Sequence, residues 1–135
     1  RLEGGLAYYL ATIPVIYSDS FYEQQSAWMD KRKKTLVPYF GNPQVKERLI
    51  RLTNSSENFN VIDKLGVLDM PVLVVSAEND YLIPLREQKT MVQNIKHVSH
   101  VLLPGCGHAS MYEQPLLFSA LTLGFINTPR TDFTI

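Results

Sequence analysis

The sequence predicts an α/β fold in which helices cover two parallel strands of a sheet that is incomplete within this chain. Two short apolar runs, residues 72–77 and roughly residues 100–103, each end at a loop, and a helical pattern separates them. The first run is apolar at nearly every position, which is typical of strands buried on both faces of a parallel sheet. Two strands alone are marginal in water, so the pattern indicates that further strands belong beside them.

The first 53 residues predict helices and show no strand alternation. Residues 20–23 have the spacing of a capping box, with a serine followed three positions later by a glutamate. Asn42 and Pro43 give a second start signal, a cap residue followed by proline at the first helical position. Three helix breakers divide the region into about three helices: Pro14, Pro38 and Gly41.

A polar stretch at residues 53–58 predicts a boundary between this helical segment and the strands. Beyond the first strand, a helix is expected from Pro84 to about Ile95, and a last helix from Pro115. A crossover of this kind is right-handed, so the loops that follow the two strands should meet at the same edge of the sheet. Those loops carry Asp80 and His108, an acid and a base that could form part of a charge-relay site.

Composition excludes several function classes. Thirteen basic and thirteen acidic residues balance, so neither nucleic acid nor an anionic membrane surface is an expected partner. The charge run at residues 31–34 is interpreted as a solvated helix end. No apolar stretch approaches the ~20 residues that span a bilayer.

The cysteine content and the first residue bear on cellular location. A single cysteine, Cys106, excludes an internal disulfide framework and predicts a reducing, cytoplasmic location. The chain begins with Arg1 rather than Met, so the natural N-terminus and any targeting segment are expected to lie upstream.

Residues 70–84, 103–109 and 113–115 resemble the α/β-hydrolases that carry a helical lid. They look like the last two core strands of that family, with the acid loop and the histidine loop in the expected order, 108 − 80 = 28 residues apart. The resemblance is strong over about residues 60–128. It implies that residues 1–59 form a lid and that residues 60–135 form the C-terminal portion of the hydrolase core.

The resemblance also implies the chemistry. His108 would be the general base and Asp80 the carboxylate that orients it, while Gly105 and Gly107 would form the tight turn that presents the imidazole. The family acts on small esters, lactones, amides or related compounds, and needs neither a metal nor an organic cofactor.

One part of the family pattern is absent from these residues. The nucleophile of α/β-hydrolases lies in a G-x-S-x-G elbow, and no Ser, Cys or Asp in this chain is flanked by glycines at that spacing. We therefore expect a missing N-terminal core segment to carry the nucleophile, and the 135 residues alone to be inactive. Ser76, where the family often has glycine, is a smaller departure.

Structural roles compete with each catalytic assignment. Asp80 could be a turn former at a strand end, and His108 could be a solvated loop residue. Cys106 lies near His108 but is interpreted as a small buried filler rather than a nucleophile, since a reactive thiol needs a base in reach and a lowered pKa.

For several other residues, the choice between a functional and a structural role stays open. His97 and His100 match no familiar metal-ligand spacing. Glu113 could contact the site, although a carboxylate at a helix start has a structural purpose already. Aromatic residues of the helical segment could line an acyl pocket or simply pack: Tyr8, Tyr9, Tyr17, Phe21, Tyr22, Trp28, Tyr39 and Phe40.

Three hypotheses for function follow. The first is a hydrolase that binds a small-molecule substrate and uses nucleophile–His–Asp chemistry. The second is a non-catalytic small-molecule binder on the same scaffold. The third concerns the chain by itself, which could associate with a second copy through its exposed sheet edge.

Overall fold

The computed structural model describes residues 2–128. Residue 1 and residues 129–135 lie outside the described residues, so the start of the predicted segment 1–59 and the end of the predicted segment 60–135 fall there. The elements follow in chain order: α1 (Leu2–Ile16), α2 (Asp19–Gln24), α3 (Ser26–Phe40), α4 (Pro43–Ser56), a 3₁₀ helix (Ile62–Val67), β1 (Val72–Ala77), α5 (Leu85–Gln93), β2 (Val98–Leu103), α6 (Ser110–Glu113) and α7 (Pro115–Asn127).

The two strands form a parallel pair joined through α5, which confirms a partial α/β fold. Val72 pairs with Val98 at one end of the register and Ala77 pairs with Leu103 at the other. The first strand lies where the sequence predicts it. The second begins two residues earlier than predicted, at Val98, because backbone pairing extends beyond the apolar run.

Two groups of buried side chains hold the described residues together. The helical cluster consists of Tyr9, Ile13, Tyr17, Met29 and Ala109. The sheet cluster consists of Ala77, Leu103 and Cys106. The histidine loop contributes to both clusters, since Cys106 packs under the sheet and Ala109 packs among the helices. This double attachment fixes the loop between the two parts of the chain.

The predicted helix boundaries of the N-terminal region are partly wrong. Four α-helices, rather than about three, precede the strands in the described residues. Pro14 and Pro38 do not separate them, since these prolines lie inside α1 and α3, two residues before each helix ends. At that position a proline removes one hydrogen bond from the last turn and does not divide the helix. The capping box is also wrong: Ser18, not Ser20, caps α2, and its Oγ accepts from the Phe21 N–H at 3.3 Å.

The second start signal is confirmed. Asn42 caps α4 and accepts from the Gln44 N–H at 2.9 Å, with Pro43 at the first helical position. The last N-terminal helix ends within the polar stretch at residues 53–58, because α4 continues to Ser56, three residues beyond the expected helix end at residue 53. The serines and threonine of this stretch bond backwards to helix carbonyls, so polarity alone did not end the helix.

The charge run also differs from its prediction, since residues 31–34 lie within α3 and not at a helix end. Arg32 is half-buried, with its guanidinium 4.8 Å from the ring centre of Trp28 and 5.1 Å from that of Tyr112. These distances are those of cation–π contacts, so Arg32 joins α3 to α6.

One edge of β1 is not paired within the described residues. The Val72 N–H donates to the His97 carbonyl at 2.8 Å, and the Glu78 N–H donates to the Leu103 carbonyl at 3.1 Å. The backbone N–H groups of Val72 and Glu78 therefore face β2. In a parallel ladder the alternate residues point to the opposite edge. At that edge Leu73 and Val75 have no strand partner among residues 2–128.

None of the described helices has the length and apolar character needed to cross a bilayer. The cytoplasmic location stays a prediction.

Candidate functional site

The loops that follow β1 and β2 lie side by side and are bonded to each other. The Asn79 N–H donates to the Cys106 carbonyl at 2.8 Å, and the Gly105 N–H donates to Glu78 Oε2 at 2.8 Å. These two bonds hold the acid loop against the histidine loop, as the shared edge of two parallel strands requires.

Asp80 and His108 form a hydrogen-bonded pair at this edge. Asp80 Oδ2 lies 2.9 Å from His108 Nδ1, and the Asp80 side chain is only 9% exposed. The other oxygen, Oδ1, accepts from the backbone N–H groups of Leu82 at 2.9 Å and Ile83 at 2.8 Å. One oxygen therefore shapes the turn while the other holds the imidazole, so the turn-forming role and the orienting role occur together.

The His108 ring keeps one nitrogen free. Its side chain is 38% exposed, and among residues 2–128 its only hydrogen bond is the one through Nδ1. A neutral ring that donates from Nδ1 to a carboxylate has an unprotonated Nε2. Such an atom can take a proton from a group brought against it, which is the first requirement of a general base.

The two glycines of the histidine loop have separate structural reasons. Gly105 has a φ of +64°, in the left-handed region that favours glycine. Gly107 lies against the α1–α2 junction: an added Cβ would come within 2.5 Å of Ser18 N and 2.9 Å of Tyr17 C. The loop can approach the helical segment this closely only without a side chain at residue 107.

Glu113 lies in the first turn of the four-residue helix α6, as the helix-start interpretation expects, and its carboxylate bonds to residues outside that helix. Its Oε1 accepts from the Ser18 N–H at 2.8 Å, and its Oε2 accepts from Ser18 Oγ at 2.7 Å and from the Gly107 N–H at 2.9 Å. The carboxylate therefore joins the α1–α2 junction to the histidine loop.

Gln88 supports the acid loop and was missed by sequence reasoning. Its side chain is buried, its Oε1 accepts from the Ala77 N–H at 3.1 Å, and its Nε2 donates to the carbonyls of Ala77 at 3.2 Å and Ile83 at 2.7 Å. It thus ties the end of β1 to the far side of the Asp80 turn. A glutamine on a helix face carries no sequence signal for this role.

Comparison with known proteins adds an independent finding, although no family model matches the chain. The solved structure of MGS-M2, an α/β hydrolase enzyme from a Medee basin deep-sea metagenome library, is 47% identical to this chain and superposes with a TM-score of 0.93. The match covers 98% of this chain and 48% of that one. The chain therefore resembles the α/β-hydrolases and has part of their fold.

More distant matches agree on the fold. A 2-hydroxy-6-oxo-6-phenylhexa-2,4-dienoate hydrolase, BphD, from a Rhodococcus species is 20% identical with a TM-score of 0.75, over 91% of this chain and 44% of that one. A protein named "Putative carbamate hydrolase RutD" from Pseudomonas savastanoi is 28% identical over 81 residues, 60% of this chain and 31% of the relative. The chain thus spans less than half the length of these three proteins.

Cys106 fits its interpretation as a small buried filler. The residue is 1% exposed, and burial, followed by the nearby charge of Glu113, raises the pKa of its thiol from 9.0 to about 12. A raised pKa keeps the thiol protonated at neutral pH, and the thiolate is the nucleophilic form. The environment of Cys106 therefore disfavours a nucleophilic role.

His97 and His100 are both exposed. His100 Nε2 lies 2.8 Å from Ser76 Oγ across the two strands. Among the described residues, no three His, Cys, Asp or Glu side chains are grouped so that they could hold a metal ion.

Several of the predicted pocket aromatics pack against one another. Tyr17, Phe21 and Trp28 have ring centres 5.5–5.8 Å apart, and Tyr112 extends the group. A cleft of about 580 Å³ lies between the start of α1, the end of α3 and α4, and two of the aromatics, Tyr8 and Phe40, line it. Neither Asp80 nor His108 lines this cleft.

Replacing Gly107 with alanine is expected to lower the free energy of unfolding by about 1–3 kcal/mol, the usual cost of overpacking. The new Cβ would approach backbone atoms of the α1–α2 junction, which cannot move aside like a flexible side chain. Gly124→Ala is the matched control, because an added Cβ there meets nothing within 4 Å. Urea unfolding of both variants measures the difference, and equal stabilities would contradict the close approach.

Proposed function

We propose that this chain supplies the acid and the base of a hydrolase that acts on a small ester, lactone, amide or related acyl compound. The observation that carries the proposal is the Asp80–His108 pair, with a buried carboxylate on Nδ1 and an unbonded Nε2 among the described residues. The names of two matched proteins, MGS-M2, "an alpha/beta hydrolase enzyme", and "Putative carbamate hydrolase RutD", support hydrolysis as the reaction class.

In the proposed mechanism, a nucleophile on a core segment outside this chain attacks the substrate carbonyl. His108 Nε2 takes the proton of the nucleophile, and the Asp80 carboxylate stabilises the imidazolium that results. His108 then gives that proton to the leaving alcohol or amine, which departs and leaves an acyl–enzyme. Water next attacks the acyl group with His108 again as base, and the acid product and the free nucleophile are released.

We also propose that the segment carrying the nucleophile completes the sheet. The open edge of β1 at Leu73 and Val75 would receive its nearest strand. Large apolar side chains on α7 would be covered at the same time, since Leu116 is 87% exposed and Ile126 is 69% exposed. Large apolar side chains exposed to this degree are consistent with a contact to another part of the protein.

A second copy of the chain could use the same edge when the 135 residues are isolated. Light scattering distinguishes the two arrangements. Completion of the sheet predicts that self-association disappears in the complete protein. Association that persists there would show that the edge stays open.

The helices of residues 1–59 are proposed to form a lid over the site. Their packing against the histidine loop, through Ala109 and the α1–α2 junction, supports this placement. The division into residues 1–59 and residues 60–135 belongs to the same proposal.

Covalent labelling tests the proposed function. A fluorophosphonate probe should add one phosphonyl group to the complete protein, at a residue outside this chain, and the protein should turn over p-nitrophenyl butyrate. The isolated 135 residues are the control and should show neither reaction. Turnover by the isolated chain that is lost in His108→Ala would contradict a nucleophile outside it. Absence of both reactions in the complete protein would favour a non-catalytic small-molecule binder.

A further inference from the structure

The carboxylate of Glu113 is the point where the helical segment and the histidine loop are joined by a side chain. It accepts three hydrogen bonds, two from Ser18 and one from the backbone of Gly107. Ser18 is 1% exposed and caps α2, whereas Gly107 immediately precedes His108. One charged group therefore joins the histidine loop to Ser18, which lies 95 positions from Glu113 along the chain.

The backbone on the other side of His108 is attached to the same junction. The Ala109 N–H donates to the Ile16 carbonyl, at the end of α1, over 3.0 Å. Ala109 is thus bonded directly to Ile16, while Gly107 is linked to Ser18 through the Glu113 carboxylate. The absent side chain at Gly107 allows this approach, and the Asp80 bond then fixes only the rotation of the imidazole.

From this arrangement we infer that Glu113 is a positioning residue for His108, acting through the Gly107 backbone and making the place of the base depend on the α1–α2 junction. The inference rests on the proposed function of His108 as the base. Glu113 has no contact with the imidazole among its hydrogen bonds, so it is not itself a catalytic residue.

A carboxylate suits this position because all three of its partners are donors. A glutamine in its place has one acceptor oxygen, and its amide group would face a donor, either Ser18 or Gly107. Glu113→Gln therefore retains the size and length of the side chain but removes at least one of its three hydrogen bonds. Glu113→Asp retains the charge but shortens the side chain by one methylene, so both variants should loosen the loop.

Steady-state kinetics of the complete protein give the first test. Glu113→Gln is expected to lower kcat by about 10–100-fold with a change in KM below about threefold, since a misplacement near 1 Å costs on the order of 100-fold. Glu47→Gln is the matched control, because Glu47 is an exposed partner of Arg51 on α4. In a His108→Ala background, Glu113→Gln should cause no further loss.

Two readouts do not depend on turnover. Hydrogen exchange of the Gly107 amide should become at least about tenfold faster in Glu113→Gln, since the amide loses its charged acceptor. The imidazole Nδ1 proton resonance of His108 should broaden in the same variant. These readouts decide the inference even if the complete protein proves to be a binder, and Glu113→Asp replaces the first variant if that fails to fold.

Three results would overturn the inference. The first is wild-type exchange at Gly107 together with wild-type kcat. The second is an equal loss of activity from Glu113→Gln in the presence and absence of His108. The third is a loss of thermal stability with an unchanged His108 resonance, which would mean that Glu113 holds the fold and does not place the base.

Discussion

Replacing His108 with alanine in the complete protein is expected to lower kcat by about 10⁶-fold, with a small change in KM, as the loss of the base does in triad enzymes. The wild-type ring has Nδ1 on a buried carboxylate and Nε2 free among the described residues, so it can take a proton from an attacking group and return it to a leaving group. Alanine leaves the nucleophile protonated. Single-turnover hydrolysis of p-nitrophenyl butyrate measures the rate of the acylation step directly.

His97→Ala provides the control for this experiment. His97 is also an exposed histidine near the sheet, and the bond of this residue to Val72 uses its backbone carbonyl, which alanine keeps. Its replacement should leave kcat within about twofold of the wild type, as expected of a surface substitution. If His108→Ala retained a tenth of the wild-type kcat, the imidazole would not be the base, and the proposed mechanism would be wrong.

The sheet could be predicted from the sequence because its signals are local. The run at Val72–Ala77 is short and apolar, and the second run has the same character. Each run therefore predicts a strand even when the rest of the sheet is unknown. The Asp80 and His108 positions follow from those strands, since parallel strands end at one edge. Their hydrogen bond is a consequence of the topology that the pattern specifies.

The partners of the supporting residues could not be predicted, because they are distant in sequence or carry no sequence signal. Glu113 bonds to a residue 95 positions away, and its helix is only four residues long, which makes its local signal ambiguous. The Gln88 side chain bonds to the backbone N–H and carbonyl of Ala77, as a neighbouring strand would at the end of β1. This role depends on how closely α5 packs against β1. Ser18 rather than Ser20 became the cap because α1 runs past Pro14 to Ile16.

Replacing Asp80 with asparagine is expected to lower kcat by about 10⁴-fold in the complete protein. The amide oxygen can still accept from the Leu82 and Ile83 N–H groups, so the turn should persist. The amide nitrogen then faces His108 Nδ1 and donates to it, which moves the ring proton to Nε2. A ring protonated at Nε2 cannot accept a proton there, so the base is lost while the geometry remains.

This substitution separates the two roles that Asp80 combines. If Asp80 were only a turn former, asparagine would serve nearly as well, and kcat would stay within a few-fold of the wild type. Asp69→Asn is the control for the loss of charge, since the Asp69 side chain is 85% exposed and lies 3.7 Å from Lys96. Nitrogen chemical shifts of His108 identify the protonated ring atom in each variant. A 10⁴-fold loss accompanied by a proton on Nε2 would assign the effect to the tautomer, whereas the same loss with the proton still on Nδ1 would contradict the orienting role.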